Sequence, residues 1–168
     1  MNSKDFFTLS NGVKIPAIGF GTWQIPAGDM AYNSVAAALK SGYRHIDTAL
    51  AYGNEASVGQ AIRDSGIDRK EIFVTSKLPA EVKNNAIAHR YAEKTIKNIG
   101  LDYIDLYLIH APWPWNDIGA DYTKQNIQIW KVMEEFYEKG STRSIGISNF
   151  NVSDINAILD TCRIRPMV

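Results

Sequence analysis

Asp47, Lys77, His110 and Asn149 stand 30, 33 and 39 residues apart, and each lies at the end of a short apolar run that gives way to helical periodicity. The runs are YRHIDTA, EIFVTSKL, YIDLYLIH and TRSIGISNF. A chain that repeats strand then helix pairs its successive strands in parallel, through right-handed crossovers. That leaves a (β/α)8 barrel or a doubly wound sheet. A doubly wound dinucleotide fold carries G-x-G-x-x-G at its first strand-to-helix turn, but here Gly19 and Gly21 are followed by Gln24 in the third glycine's place. Similar units that deliver polar side chains to corresponding strand ends form the rim of a barrel. The expected fold class is α/β, a TIM-type (β/α)8 barrel.

The rest of the chain fits that frame. Residues 6–15 alternate around Asn11-Gly12, a dipeptide that favours a type I′ hairpin turn. AIGFGTW follows as the first barrel strand, and Val35, Ala38 and Leu39 give one apolar face to a helix over Asp29–Lys40 that Gly42 ends. Asn54 opens the next helix. Ala88, Tyr91, Ala92, Thr95, Ile96 and Ile99 line another over Val82–Ile99. Asn151, Ser153 and Asp154 are capping candidates for the last helix, and RPMV begins a sixth strand. Residues 1–168 thus read as a single domain, with a hairpin at 6–15 and βα units over 17–168. Five units and a stub make about two thirds of a barrel that typically needs ~250 residues. The unpaired edge is expected to be sticky and to favour a homo-oligomer.

Composition narrows the function classes. Eighteen basic and eighteen acidic side chains balance, without a run of like charge, so neither a nucleic-acid footprint nor a membrane-surface one is present. The single cysteine, Cys162, sits in an apolar helical stretch and reads as a structural thiol. MNSKDFF lacks the apolar core of a leader, and no stretch approaches the ~18 apolar residues of a membrane span. The expectation is a cytoplasmic protein with a small-molecule site. His45, His89 and His110 have no metal-ligand spacing, so no metal is expected, and no G-x-S-x-G supports a hydrolase.

Asp47, Tyr52, Lys77 and His110 together suit one reaction. Hydride transfer to a carbonyl develops an alkoxide, which needs a proton donor and hydrogen-bond donors. A tyrosine hydroxyl supplies both, and an adjacent ammonium lowers its pKa from about 10. Lys77 is expected to be that cation, Asp47 its charge partner, and His110 a neutral imidazole that orients the carbonyl. Taken without Tyr52 and His110, Asp47 and Lys77 also read as a structural ion pair, and Tyr52 is one of eight tyrosines. His45 and His89 are assigned structural or solvated roles. Trp23, Trp113 and Trp115 follow barrel strands one and four, where rigid aromatics either wall a pocket for an apolar or aromatic carbonyl compound or serve as ordinary loop packing. Trp23 and Trp113, with Tyr52 and His110, are the substrate-binding candidates.

GFGTWQ, YRHIDTALAYGNEASVGQAI, FVTSKL, DYIDLYLIHAPW and RSIGISNF resemble, in order, the sequence blocks of the aldo-keto reductase family across essentially the whole chain. The resemblance implies an NAD(P)H-dependent reduction of aldehydes or ketones. Tyr52 would be the proton donor, Lys77 and Asp47 would adjust its acidity, and His110 would orient the substrate. It also implies that Gly21, Thr22, Asp47, Ser148 and Asn149 contact the nicotinamide half of the cofactor. NADPH is the cofactor carried over, NADH the alternative, because the blocks that hold the adenine half would follow Val168. LAYGNE replaces the more usual QAYGNE, a change expected to alter pocket shape. On this reading the 168-residue chain alone is inactive or impaired. The competing reading is a non-catalytic scaffold that assembles through its open edge.

Overall fold

The computed structural model describes residues 5–168; the part of the N-terminal reading that rests on residues 1–4 lies outside them. An antiparallel hairpin of β1 (Phe6–Thr8) and β2 (Lys14–Pro16) precedes five parallel strands. These are β3 (Phe20–Gly21), β4 (His45–Asp47), β5 (Phe73–Leu78), β6 (Leu106–Ile109) and β7 (Ile145–Ile147), paired in sequence order. The crossovers are α1 (Asp29–Lys40), α2 (Glu55–Asp64), α3 (Asn85–Ile99) and α4 (Thr123–Glu138), and α5 (Val152–Leu159) follows β7. The last residues pair with β7, since Met167 N donates to Ile145 O and Ile147 N donates to Val168 O, both at 2.9 Å.

Period-two alternation along the strands divides the interior into two parts. Val74, Ser76 and Leu78 of β5, with Tyr107 and Ile109 of β6, face the helices, where Trp130, Ile99 and Ile158 help build the main core. Phe73, Thr75 and Lys77 point the other way, as do Leu106, Leu108 and then His110. At the amino ends of these strands Phe73, Leu106 and Leu108 form a second cluster, closed from below by Val13 and Ile15 of the hairpin. The opposite, carboxyl ends carry the polar side chains. The alternation that makes a floor of Phe73 therefore lifts Lys77 to the rim.

Two local readings differ from expectation. A type I′ turn needs positive φ at both central residues, but only Gly12 has it, at 84°. The hairpin closes instead through Leu9 N to Val13 O at 2.8 Å and Gly12 N to Leu9 O at 2.9 Å, a three-residue loop with glycine at its left-handed end. The amide nitrogen of Asn11 reaches across to Arg143 O. The helix expected from Val82 begins at Asn85, because the side chain of Asn84 accepts from Ile87 N and fixes the start there. At α5 the capping residues act as read: Asn151 and Asp154 bond reciprocally in a capping box.

The α2–α3 crossing depends on a missing side chain. A β-carbon on Gly59 would lie 1.7 Å from Ile99 O, so only glycine permits this approach. Arg63 Nη1 then donates to Ile99 O and Gly100 O at 2.7 and 3.0 Å, satisfying carbonyls at the end of α3. Gly59→Ala gains about 1 kcal/mol of helix propensity but forces two backbones apart. It should lower stability by about 3 kcal/mol in urea unfolding.

Candidate active site

Lys77 lies one residue before the end of β5, and its ammonium is almost completely buried. Burial pulls its pKa down, and Asp47 opposes that pull from the end of the neighbouring strand. Lys77 Nζ donates to both carboxylate oxygens of Asp47 at 2.7 Å and to Thr48 O at 2.9 Å. Those three acceptors match the three N–H bonds of an ammonium. Tyr52 Oη stands at 3.4 Å from the same nitrogen, the longest of the four contacts.

Tyr52 is carried by a 3-10 turn, Leu50–Tyr52, closed by Gly53 in the left-handed conformation. The turn is anchored by Asn54. Although Asn54 stands at the cap position of α2, its side chain does not cap the helix. Fully buried, it donates to Thr22 O and Ile25 O at 2.9 and 3.0 Å, while its own oxygen accepts from Thr48 at 2.8 Å and from Thr22 at 3.4 Å. Asn54 thus ties the loop after β3 to the loop after β4. AYGNE reads as a cap in sequence, and only the tertiary path of the β3 loop gives this asparagine its other task.

The acidity of Tyr52 runs opposite to the expectation that Lys77 lowers it. Burial, and then the Asp47 carboxylate, push the phenol up to about 12. Lys77 is already neutralised by Asp47 at shorter range, so little uncompensated positive charge reaches the phenol. Tyr52 therefore holds its proton throughout the neutral range.

His110 follows β6, with its backbone N–H on Leu78 O, and it is buried. Burial, and then the Lys77 ammonium, pull its pKa down to about 4, so the ring is neutral. Its Nδ1 is buried and meets no hydrogen-bond partner among the described residues. The imidazole stands edge-on to Tyr52 at 5.7 Å and to Trp115 at 5.5 Å. Trp23, Ala51, Tyr52, His110 and Trp115 line a cavity of about 550 Å³. Trp113 meets Trp115 edge-to-face at 5.3 Å, so the lining ring is Trp115 and the supporting one is Trp113. A cavity of about 460 Å³ at the floor, lined among others by Arg44, Lys70 and Arg143, lies at the opposite strand ends, away from Tyr52 and Lys77.

The remaining site candidates sit on the same rim. Gly21 ends β3, and a side chain there would meet nothing within 4 Å. Thr22 lies fully buried beneath the mouth, its hydroxyl on Asp47 O and Asn54 Oδ1, its N–H on Asp47 O and its carbonyl accepting from Asn54 and Ile25, so it braces the rim from below. Ser148 and Asn149 follow β7. Asn149 has a left-handed φ of 63°, donates to His110 O at 2.7 Å and leaves its Oδ1 without a donor among the described residues. Gly21 and Asn149 stand at opposite edges of the sheet, and the Asn149 amide oxygen could accept from the carboxamide of a nicotinamide ring. His45 bonds Thr75 Oγ1 at 2.9 Å, and His89 stands 3.6 Å from Glu135, both outside this group. Among the described residues no cluster of three or more His, Cys, Asp or Glu could hold a metal ion, and no helix is long and apolar enough to cross a membrane.

Parallel βα units thus bring a Tyr–Lys–Asp–His group together at the carboxyl ends of the strands, on the rim of a partial barrel. Residues 17–168 match the Aldo/keto reductase family, and the chain belongs to it. It is 42% identical to the glyoxal reductase of Bacillus subtilis over 98% of its own length and 56% of that protein's. It is 43% identical to an uncharacterized oxidoreductase of Schizosaccharomyces pombe, over 97% of its own length and 53% of that protein's. Among solved structures, an aldo/keto reductase from Brucella melitensis superimposes with a TM-score of 0.89 at 38% identity, covering 98% of this chain and 61% of that one. A Bombyx mori aldo-keto reductase in complex with NADP gives 0.85 at 34% identity, covering 99% and 57%. The chain spans about half the length of the curated relatives it matches. The expected barrel architecture holds, with five of its strands in sequence order.

The sign of the His110 shift has a testable consequence. A histidine whose pKa falls on folding binds its proton less readily when folded. Its contribution to stability is complete above the ordinary value of 6.5 and declines as pH falls toward 4. In an NMR titration the His110 ring, identified by its loss in His110→Asn, should stay neutral down to about pH 4. A midpoint near 6.5 would show that the ring is not desolvated.

Proposed function

We propose that the chain carries the catalytic half of an aldehyde or ketone reductase, and the observation that carries this reading is the contact between Tyr52 and the Lys77–Asp47 pair inside an aromatic-walled cavity. A nicotinamide cofactor would supply a hydride to the carbonyl carbon. Gly21, Ser148 and Asn149 are the residues that would hold its carboxamide end, and NADPH is the form proposed, in line with the NADP complex of the Bombyx mori relative.

The chain's own residues supply the rest. A carbonyl oxygen seated between Tyr52 Oη and the His110 ring meets a hydroxyl that is protonated at neutral pH and an imidazole that is uncharged. As charge develops on that oxygen, Tyr52 transfers its proton to it. A phenol raised to about 12 remains a far stronger acid than an alcohol, so the transfer runs downhill. Lys77 then faces a phenolate at the hydrogen-bond distance it already holds, and Asp47 keeps the ammonium charged in a buried site. Trp23 and Trp115 present flat apolar faces, which favours aromatic or otherwise bulky carbonyl compounds.

The test is NADPH oxidation with an aromatic aldehyde. It compares the 168-residue chain, and the same chain joined to the segment that completes the Bacillus subtilis glyoxal reductase, each with and without Tyr52→Phe. Phenylalanine keeps the ring contacts and removes only the proton. Turnover should fall about 100- to 10,000-fold. No reduction by either protein, or a Tyr52→Phe variant as active as its parent, would refute the proposal.

A further inference from the structure

Three consecutive backbone carbonyls leave the end of β6, and each is met by a side-chain donor from a different part of the chain. His110 O accepts from Asn149 Nδ2 at 2.7 Å. Ala111 O accepts from Lys83 Nζ at 3.2 Å, and Pro112 O accepts from Asn126 Nδ2 at 2.8 Å. Lys83 and Asn126 are also joined to each other, Nζ to Oδ1 at 2.9 Å. Lys83 comes from the loop before α3 and Asn126 from the first turn of α4, where it is buried.

Immediately beyond these carbonyls the chain enters the aromatic wall. Trp113 and Trp115 lie on a segment that leaves the sheet and has no regular structure until α4, and both prolines in it, Pro112 and Pro114, are unable to donate a backbone hydrogen bond. The rings form one train of edge-to-face contacts, Tyr52 to His110 to Trp115 to Trp113. The position of Trp115 is therefore inherited from the backbone at Ala111 and Pro112, and those two carbonyls are held by Lys83 and Asn126.

We infer that Lys83 and Asn126 are positioning residues that set the aromatic wall of the cavity and, through it, the affinity for aromatic carbonyl compounds. This deepens the reductase reading and rests on it for the identity of the ligand. Neither residue lines the cavity, and neither belongs to the Tyr52–Lys77–Asp47–His110 group. The ammonium of Lys83 sits far enough under the loop that burial pulls it down to about 8 against the opposing carboxylates of Glu81 and Asp154, and the Tyr122 ring covers it at 5.6 Å. A lysine bound to two uncharged acceptors in such a place is there for its donors.

The test uses the 168-residue chain, with near-ultraviolet circular dichroism to report the edge-to-face tryptophan pair and quenching of tryptophan fluorescence to report binding of 4-nitrobenzaldehyde. Lys83→Met should lose at least half of the near-ultraviolet signal that Trp113→Phe also removes. It should bind the aldehyde about tenfold more weakly, with far-ultraviolet signal unchanged. Lys83→Arg, which restores donors to Ala111 O and Asn126 Oδ1, should recover most of both. Asn126→Asp keeps the pairing with Lys83 and removes only the donor to Pro112 O, so it decides the matter should Lys83→Met fail to fold. Wild-type dichroism and affinity in the folded variants would overturn the inference. If the Tyr52→Phe test fails instead, the dichroism still reports on the wall, so the two failures are separable.

Discussion

An ammonium group at the end of a fully buried strand is sustainable only where a carboxylate meets it. The pairing of Lys77 with Asp47 is therefore the constraint on which the upper half of this structure depends. It requires β4 and β5 to be parallel neighbours in one register, so that Asp47 aligns with Thr75 and Lys77 projects beyond it. It requires Thr48 O as a third acceptor, which fixes the backbone where the chain turns toward Tyr52. Asn54 then holds that turn against the loop after β3. Each contact presupposes the one before it, so a substitution at the ion pair would be felt in the placement of the phenol before it was felt in the core.

Much of the architecture was legible in the sequence because it follows from periodicity. The strand-to-helix repeat, the polar residue ending each strand and the capping pattern at Asn151 all lie in short windows, and the structure realises them. The features that were not legible depend on residues distant in sequence. Asn11-Gly12 favours one hairpin turn locally, but the hairpin is built around a link from Asn11 to Arg143. Asn54 looks like a helix cap until the β3 loop comes within reach. In sequence the nearest cation points to a more acidic Tyr52, and the direction is reversed by burial and then by the Asp47 carboxylate. The three tryptophans were visible as wall candidates, but which ring faces the cavity depends on how the segment after β6 is anchored.

Family membership and geometry bear on different parts of the molecule. The match over residues 17–168 accounts for the order of the strands and helices. It does not account for how firmly the rim is braced. Asn149, Lys83, Asn126 and Asn54 all bind backbone carbonyls of rim loops with side-chain amides or an amine. Loops after parallel strands carry much of the chemistry in this kind of fold, and here they are stiffened by donors that reach in from neighbouring units, not by longer secondary structure.

The hairpin beneath the sheet illustrates the same economy at the other end. Val13 and Ile15 cover Phe73, Leu106 and Leu108, while Asn11 bonds the backbone at Arg143 and the hydroxyl of Ser144, joining positions more than 130 residues apart. Contacts over such a separation are slow to form, because the chain between them must already be ordered for the closure to be favourable. The apolar seal of the floor needs only β5 and β6, while the bonds of Asn11 add the segment that enters β7. A short N-terminal hairpin becomes a clasp that spans three neighbouring strands and ties the start of the chain to its far end.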